Sequence, residues 1–104
     1  MDLAAGHLSA LAYLDKKGAA PSPYVFNLGT GRGNSVLEMV KAMEKASGKE
    51  IKYKIGPRRG GDVATCYANT DLARTEMGWE ANRGLDEMCR DLWAWQSANP
   101  NGFK

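Results

Sequence analysis

Between Tyr24 and Met43 the spacing of apolar residues changes character, and that change rules out most architectures. Tyr24-Val25-Phe26-Asn27-Leu28 is β-branched and aromatic, the composition of a buried strand. Gly29-Thr30-Gly31-Arg32-Gly33-Asn34 follows as a glycine-rich turn, and Ser35-Val36-Leu37-Glu38 then spells a capping box. In that motif the serine hydroxyl accepts from a free amide of the first helical turn while the glutamate reaches back to the capping residue. Val36, Met39, Val40 and Met43 recur on one face as far as Gly48, at the spacing of a helix. A strand, a sharp turn and a capped helix in succession predict an α/β fold.

The flanking sequence extends this reading. Leu3, His7, Leu8, Leu11 and Leu14 form one stripe of a helix that Asp2 can cap and Gly18 can end. Ile51, Tyr53 and Ile55 alternate with Lys52 and Lys54, which predicts a half-buried strand with one basic face. Gly56 to Asp62 reads as a loop, and Val63 to Tyr67 as short and extended. Asn69 or Thr70 opens a brief helix that Gly78 closes before Trp79. Leu85, Met88, Cys89, Leu92 and Trp93 make the clearest helical stripe, stopped at Asn99-Pro100. The expectation is a small α/β domain spanning 1–104, its helices packed on a few short strands. With 104 residues, 43% hydrophobic and 25% charged, the chain has the composition for one such core.

Charge and cysteine usage narrow the function classes. A net charge of +2 is too mild to mark a nucleic-acid binder from bulk electrostatics. Cys66 and Cys89 lack metal-motif spacing and His7 is the sole histidine, which argues against a zinc site or a disulfide framework. Neither a charged leader nor an apolar run of about 18 residues is present, so no membrane association is expected and the chain reads as cytoplasmic.

Three motifs carry possible chemistry. The strand, glycine turn and capped helix resemble a dinucleotide site. However, Asn34 stands where the last glycine of that fingerprint belongs, and the next strand alternates with lysines instead of ending in a ribose-binding acid. The turn therefore reads as a sharp connection. Tyr13 and Lys17 are one helical turn apart, the spacing of a tyrosine–lysine acid/base pair, but no cofactor fingerprint precedes them. Gly56-Pro57-Arg58-Arg59-Gly60-Gly61-Asp62 is more informative. Guanidinium offers a rigid fork of donors matching phosphate, and the nearby acid could accept ribose hydroxyls. A solvated basic loop continuous with Lys49, Lys52 and Lys54 explains the same residues, and composition alone does not choose.

Resemblance chooses. Met1-Asp2-Leu3-Ala4-Ala5-Gly6-His7, Tyr24-Val25-Phe26-Asn27-Leu28-Gly29-Thr30-Gly31, Asn34-Ser35-Val36-Leu37 and Met43 to Lys49 occur in order. Arg58-Arg59-x-Gly61-Asp62, Cys66-Tyr67-Ala68, Gly78-Trp79, Leu85-Asp86-x-Met88-Cys89 and Asp91-Leu92-Trp93-x-Trp95-Gln96 follow. Together they resemble the C-terminal portion of the UDP-glucose 4-epimerases, within the extended short-chain dehydrogenase superfamily. The resemblance implies a two-domain isomerase that interconverts UDP-galactose and UDP-glucose through a 4-keto intermediate. NAD would sit mainly in an N-terminal Rossmann domain that this chain lacks, with dimerisation through the same domain. For this chain alone no cofactor is expected.

Residue by residue, Arg59 resembles the family arginine on the diphosphate, with Arg58 as its neighbour, and Asp62 the acid on the uridine ribose. Cys66 resembles the gate beside the sugar pocket, where a small residue leaves room for an N-acetyl group; an ordinary buried cysteine is the other reading. Cys89 is assigned to the core. Gly60 departs from the family's usual glutamate, loosening the loop and removing a charge. The glycine fingerprint, the catalytic serine or threonine and the Tyr-x-x-x-Lys pair would all lie upstream, so the isolated chain is expected to be inactive. Two other readings compete: a non-catalytic nucleotide-sugar-binding or interaction module, and a nucleic-acid binder using Lys52, Lys54, Arg58 and Arg59.

Overall fold

The computed structural model describes residues 1–103. Among the described residues three α-helices, α1 (Asp2–Lys17), α2 (Val36–Ser47) and α3 (Leu85–Ala98), are joined by irregular segments and one π-helical turn, Ala73–Met77. Contacts group the chain into two units. One comprises Met1–Arg32 with Tyr67–Arg83, the other Gly33–Cys66 with the chain from Gly84 onward.

In the first unit α1 is held through its N-terminal turn. Gly6 is buried, and a Cβ there would come within 2.7 Å of Leu28 Cδ1 and 3.2 Å of Trp79 Nε1, so absence of a side chain permits the close approach. The Trp79 indole donates to the Asp2 carbonyl at 3.0 Å, and Trp79 and Ala73 are buried. Asp2 was expected to cap α1 with its side chain. It does not: Met1 occupies the capping position, and the Asp2 carboxylate accepts from the amides of Asn82 and Arg83 at 2.8 and 2.7 Å and from the Arg83 guanidinium. At the other end Gly18, with φ 71°, closes the helix. Tyr13 packs edge-on against both Tyr24 and Phe26, with centroids 5.2 Å apart in each case. Of the two residues expected to open the brief helical segment, Thr70 directly precedes it and its carbonyl accepts from the Arg74 amide at 3.1 Å, while the Asn69 side chain accepts from the Asp71 amide at 3.0 Å.

In the second unit α2 packs on α3, with Ala42 and Cys89 buried at the contact. The capping box forms as the sequence spells it: the Glu38 amide donates to Ser35 Oγ at 3.1 Å, and the Ser35 amide to Glu38 Oε2 at 2.6 Å. The left-handed Gly48 ends α2. Lys45 bridges to Asp86 at 3.1 Å, and the Lys49 ammonium lies 5.3 Å from the centre of the Trp93 ring. Beyond α2, the Ile51 amide donates to Glu44 Oε1 at 3.1 Å.

The expected strands do not form ladders. Tyr24–Leu28, Ile51–Ile55 and Val63–Tyr67 form no regular secondary structure, the last containing a bend at Ala64, and no strand is paired among the described residues. The reason is physical. Alternation or β-branching marks which face is apolar but provides no neighbour for the backbone N–H and C=O groups, and a strand exists only once those are paired. The alternating segment illustrates this, since Tyr53 and Ile55 stay 61% and 86% exposed.

Candidate functional site

The basic loop belongs wholly to the second unit. Gly61, at φ 86°, turns the chain back in a conformation that favours glycine. The Asp62 amide consequently faces the Arg59 carbonyl at 3.5 Å, a loose turn. Arg59 Nε and Nη2 donate to the two carboxylate oxygens of Asp62 at 3.0 and 3.3 Å, a side-on fork. Arg58 Nη2 donates to the main-chain carbonyl of the same Asp62 at 2.9 Å. Both arginines therefore converge on one acidic residue, and the basic loop is internally paired. The pair is open to solvent, with Arg59 85% and Asp62 45% exposed at the side chain. Exposed pairs contribute about 0.2–1 kcal/mol, so this one sets direction more than stability.

Cys66 lies further along the chain as an exposed free thiol, which corrects the alternative reading of it as a buried cysteine. It takes no part in the Arg58–Arg59–Asp62 bonding. Gly60 needs no special backbone conformation, and a Cβ there would meet nothing within 4 Å, so steric demand does not explain the glycine.

The two rejected motifs also gain a physical account. At the start of α2 the capping box already uses the amides of Ser35 and Glu38, leaving the helix start served by its own glutamate in place of a bound pyrophosphate. Tyr13 donates its hydroxyl to Glu76 at 3.3 Å, and Lys17 lies 5.8 Å from the ring centre. Burial, followed by the Glu76 charge and hydrogen bond, pushes the phenol above its ordinary range. A catalytic tyrosine beside a lysine needs the opposite shift.

The Asp2 tie was not foreseen from sequence. The Arg83 amide, helped by the Arg83 guanidinium and the Asn82 amide and opposed by burial, holds the Asp2 carboxyl below the usual carboxylate range. The first unit also carries two half-open hollows. One, of about 430 Å³, runs along the aromatic cluster between Leu14 and Phe26, and the other, of about 310 Å³, is bounded by Thr30, Asn69 and Arg74. Among the described residues no group of three potential ligands could hold a metal ion, and no helix is long and apolar enough to cross a membrane.

No family model matches the chain. Individual relatives do. It is 58% identical over 103 residues to UDP-glucose 4-epimerase of Homo sapiens and 57% identical over 105 residues to that of Bacillus subtilis. These matches cover 99% and 100% of this chain but only 29% and 30% of the relatives, in their C-terminal part. Among solved structures, the Bifidobacterium longum UDP-glucose 4-epimerase in complex with NAD+ and UDP is 50% identical, with a TM-score of 0.81 over 98% of this chain and 29% of its own. The Stenotrophomonas maltophila enzyme, with bound NAD and formylated UDP-arabinopyranose, is 42% identical with a TM-score of 0.82, over 95% and 29%. The chain is thus similar along nearly its whole length to the C-terminal part of UDP-glucose 4-epimerases, which are α/β enzymes.

Proposed function

We propose that residues 1–104 are the C-terminal, nucleotide-sugar-binding region of a UDP-glucose 4-epimerase. The observation that supports this most is the loop in which two arginines meet Asp62, within a chain 58% identical to such an enzyme. In this reading Arg59 takes the diphosphate, Asp62 accepts from the ribose hydroxyls, and Cys66 leaves room beside the sugar for an N-acetyl group. A charge-assisted bond from guanidinium to phosphate is worth about 1.5–3 kcal/mol.

The role of this chain is retention. NAD supplies hydride exchange at the sugar, but the glycine turn and capped α2 offer it no cradle, so it is held by sequence outside this chain. What these residues do is keep UDP fixed while the oxidised sugar turns over and presents its other face. Such binding is nearly the same in every state, so it positions the intermediate without selectively lowering one barrier. The unpaired irregular segments are read as strands completed by backbone outside this chain, which gives the helices-on-short-strands architecture. Dimerisation through the part outside the match and a cytoplasmic location belong to the same proposal, with no role for nucleic acid or membrane.

The test is a chimera in which these 104 residues replace the matching C-terminal part of the Homo sapiens enzyme. The chimera should convert UDP-galactose, whereas this chain with NAD alone should not. Arg59→Ala in the chimera should raise KM about 10- to 100-fold with a much smaller change in kcat, as expected for loss of uniform binding. An unchanged KM would place the diphosphate elsewhere.

A further inference from the structure

We propose that Asp62 determines specificity by screening Arg59 from bare phosphates and releasing it to a nucleoside diphosphate. This rests on the reading in which Arg59 holds the diphosphate. The Nε and Nη2 donors of Arg59 are both taken by the two oxygens of Asp62, at 3.0 and 3.3 Å. That edge is one of those a guanidinium offers to phosphate bidentately. A bare anion can use it only by displacing the carboxylate and then sitting beside it, like charge against like. A nucleoside diphosphate arrives with ribose hydroxyls that can donate to the displaced carboxylate, so both members of the broken pair find new partners. Selectivity then comes from a repulsive element as well as an attractive one.

Arg58 Nη2 fixes the Asp62 carbonyl at 2.9 Å, and the turn at Gly61, with φ 86°, brings the carboxylate back over Arg59. Arg58 is therefore a positioning residue, acting through Asp62. Because the pair is solvent-exposed, the exchange is shallow, and an exposed pair shifts an equilibrium only about two- to five-fold.

The test is a titration of the full chain, followed by ¹H–¹⁵N NMR so that the spectrum also reports folding, with inorganic pyrophosphate and separately with UDP. Asp62→Asn should bind pyrophosphate about two- to five-fold more tightly than the parent chain while binding UDP more weakly. Asp86→Asn removes the same charge from the Lys45 pair in the same unit and should leave both affinities unchanged. The screening role is overturned if Asp62→Asn binds pyrophosphate equally, more weakly or undetectably, or if Asp86→Asn produces the same gain. If Arg59→Ala leaves the affinities of the parent chain intact, the diphosphate reading itself has failed, and the screen with it.

Discussion

Asp2 shows how far a single side chain can depart from its local reading. Its position before a leucine stripe suggests a helix cap, yet its carboxylate reaches Asn82 and Arg83, about eighty residues away in sequence. A local pattern cannot encode that choice, because the competing amides lie next to Asp2 only after Trp79 has docked on α1. The consequence is a pH dependence with a definite sign. The folded carboxyl titrates below its unfolded value of about 3.9, so its contribution is fully present above that value and is lost as pH falls through the folded one. Asp2→Asn should therefore lower the urea midpoint at pH 6 and flatten its further decline below about pH 4. Parallel declines in the two proteins would show that Asp2 is not responsible. The loop is the opposite case. Arg59 and Asp62 are three apart, so a turn suffices to bring them together, and their pairing was within reach of the sequence. The role of Arg58 was not, since it donates to a backbone carbonyl and not to a side chain.

The helices and the irregular segments differ in how much of their stability is local. An α-helix satisfies its own backbone, so period and caps are enough to locate it, and α2 begins and ends where Ser35 and Gly48 dictate. Ser35→Ala removes the acceptor for the Glu38 amide and half of the reciprocal pair, and should destabilise the second unit by about 0.5–2 kcal/mol. Chemical denaturation would measure this, and Ser35→Asp, which keeps an acceptor, should recover most of the loss. An unchanged midpoint in Ser35→Ala would mean that the packing of α2 on α3 alone sets its stability. The segments Tyr24–Leu28 and Ile51–Ile55 cannot be settled in this way. Their residues favour a strand, but the described residues provide no ladder, and the same spelling stays without regular structure.

The whole chain exposes 8673 Å² at 11.3 kDa. A folded monomer of that mass is expected to expose about 5,700 Å², and two half-size units sharing no surface would expose only about 6,900 Å². Large apolar side chains share in that exposure: Leu3, Leu8 and Leu11 on α1 are 60%, 69% and 59% exposed, and Met88 and Leu92 on α3 are 41% and 58% exposed. The leucine stripe of α1 is thus an exposed apolar face. Exposed leucines at this density attract another apolar surface, and relatives in which the matched part is 29% of the length contain much more chain to provide one. Mixing this chain with the part of the Homo sapiens relative that lies outside the match should displace a bound hydrophobic dye, slow amide exchange along α1 and yield UDP-galactose turnover that neither piece shows alone. Leu8→Asp with Leu11→Asp should remove all three effects while leaving the Gly6–Trp79 contact, on the buried side of α1, in place. Dye release and turnover that persist in the double variant would mean that the contact surface lies elsewhere, on α3 or on the irregular segments, and that the α1 stripe stays exposed in the mixture.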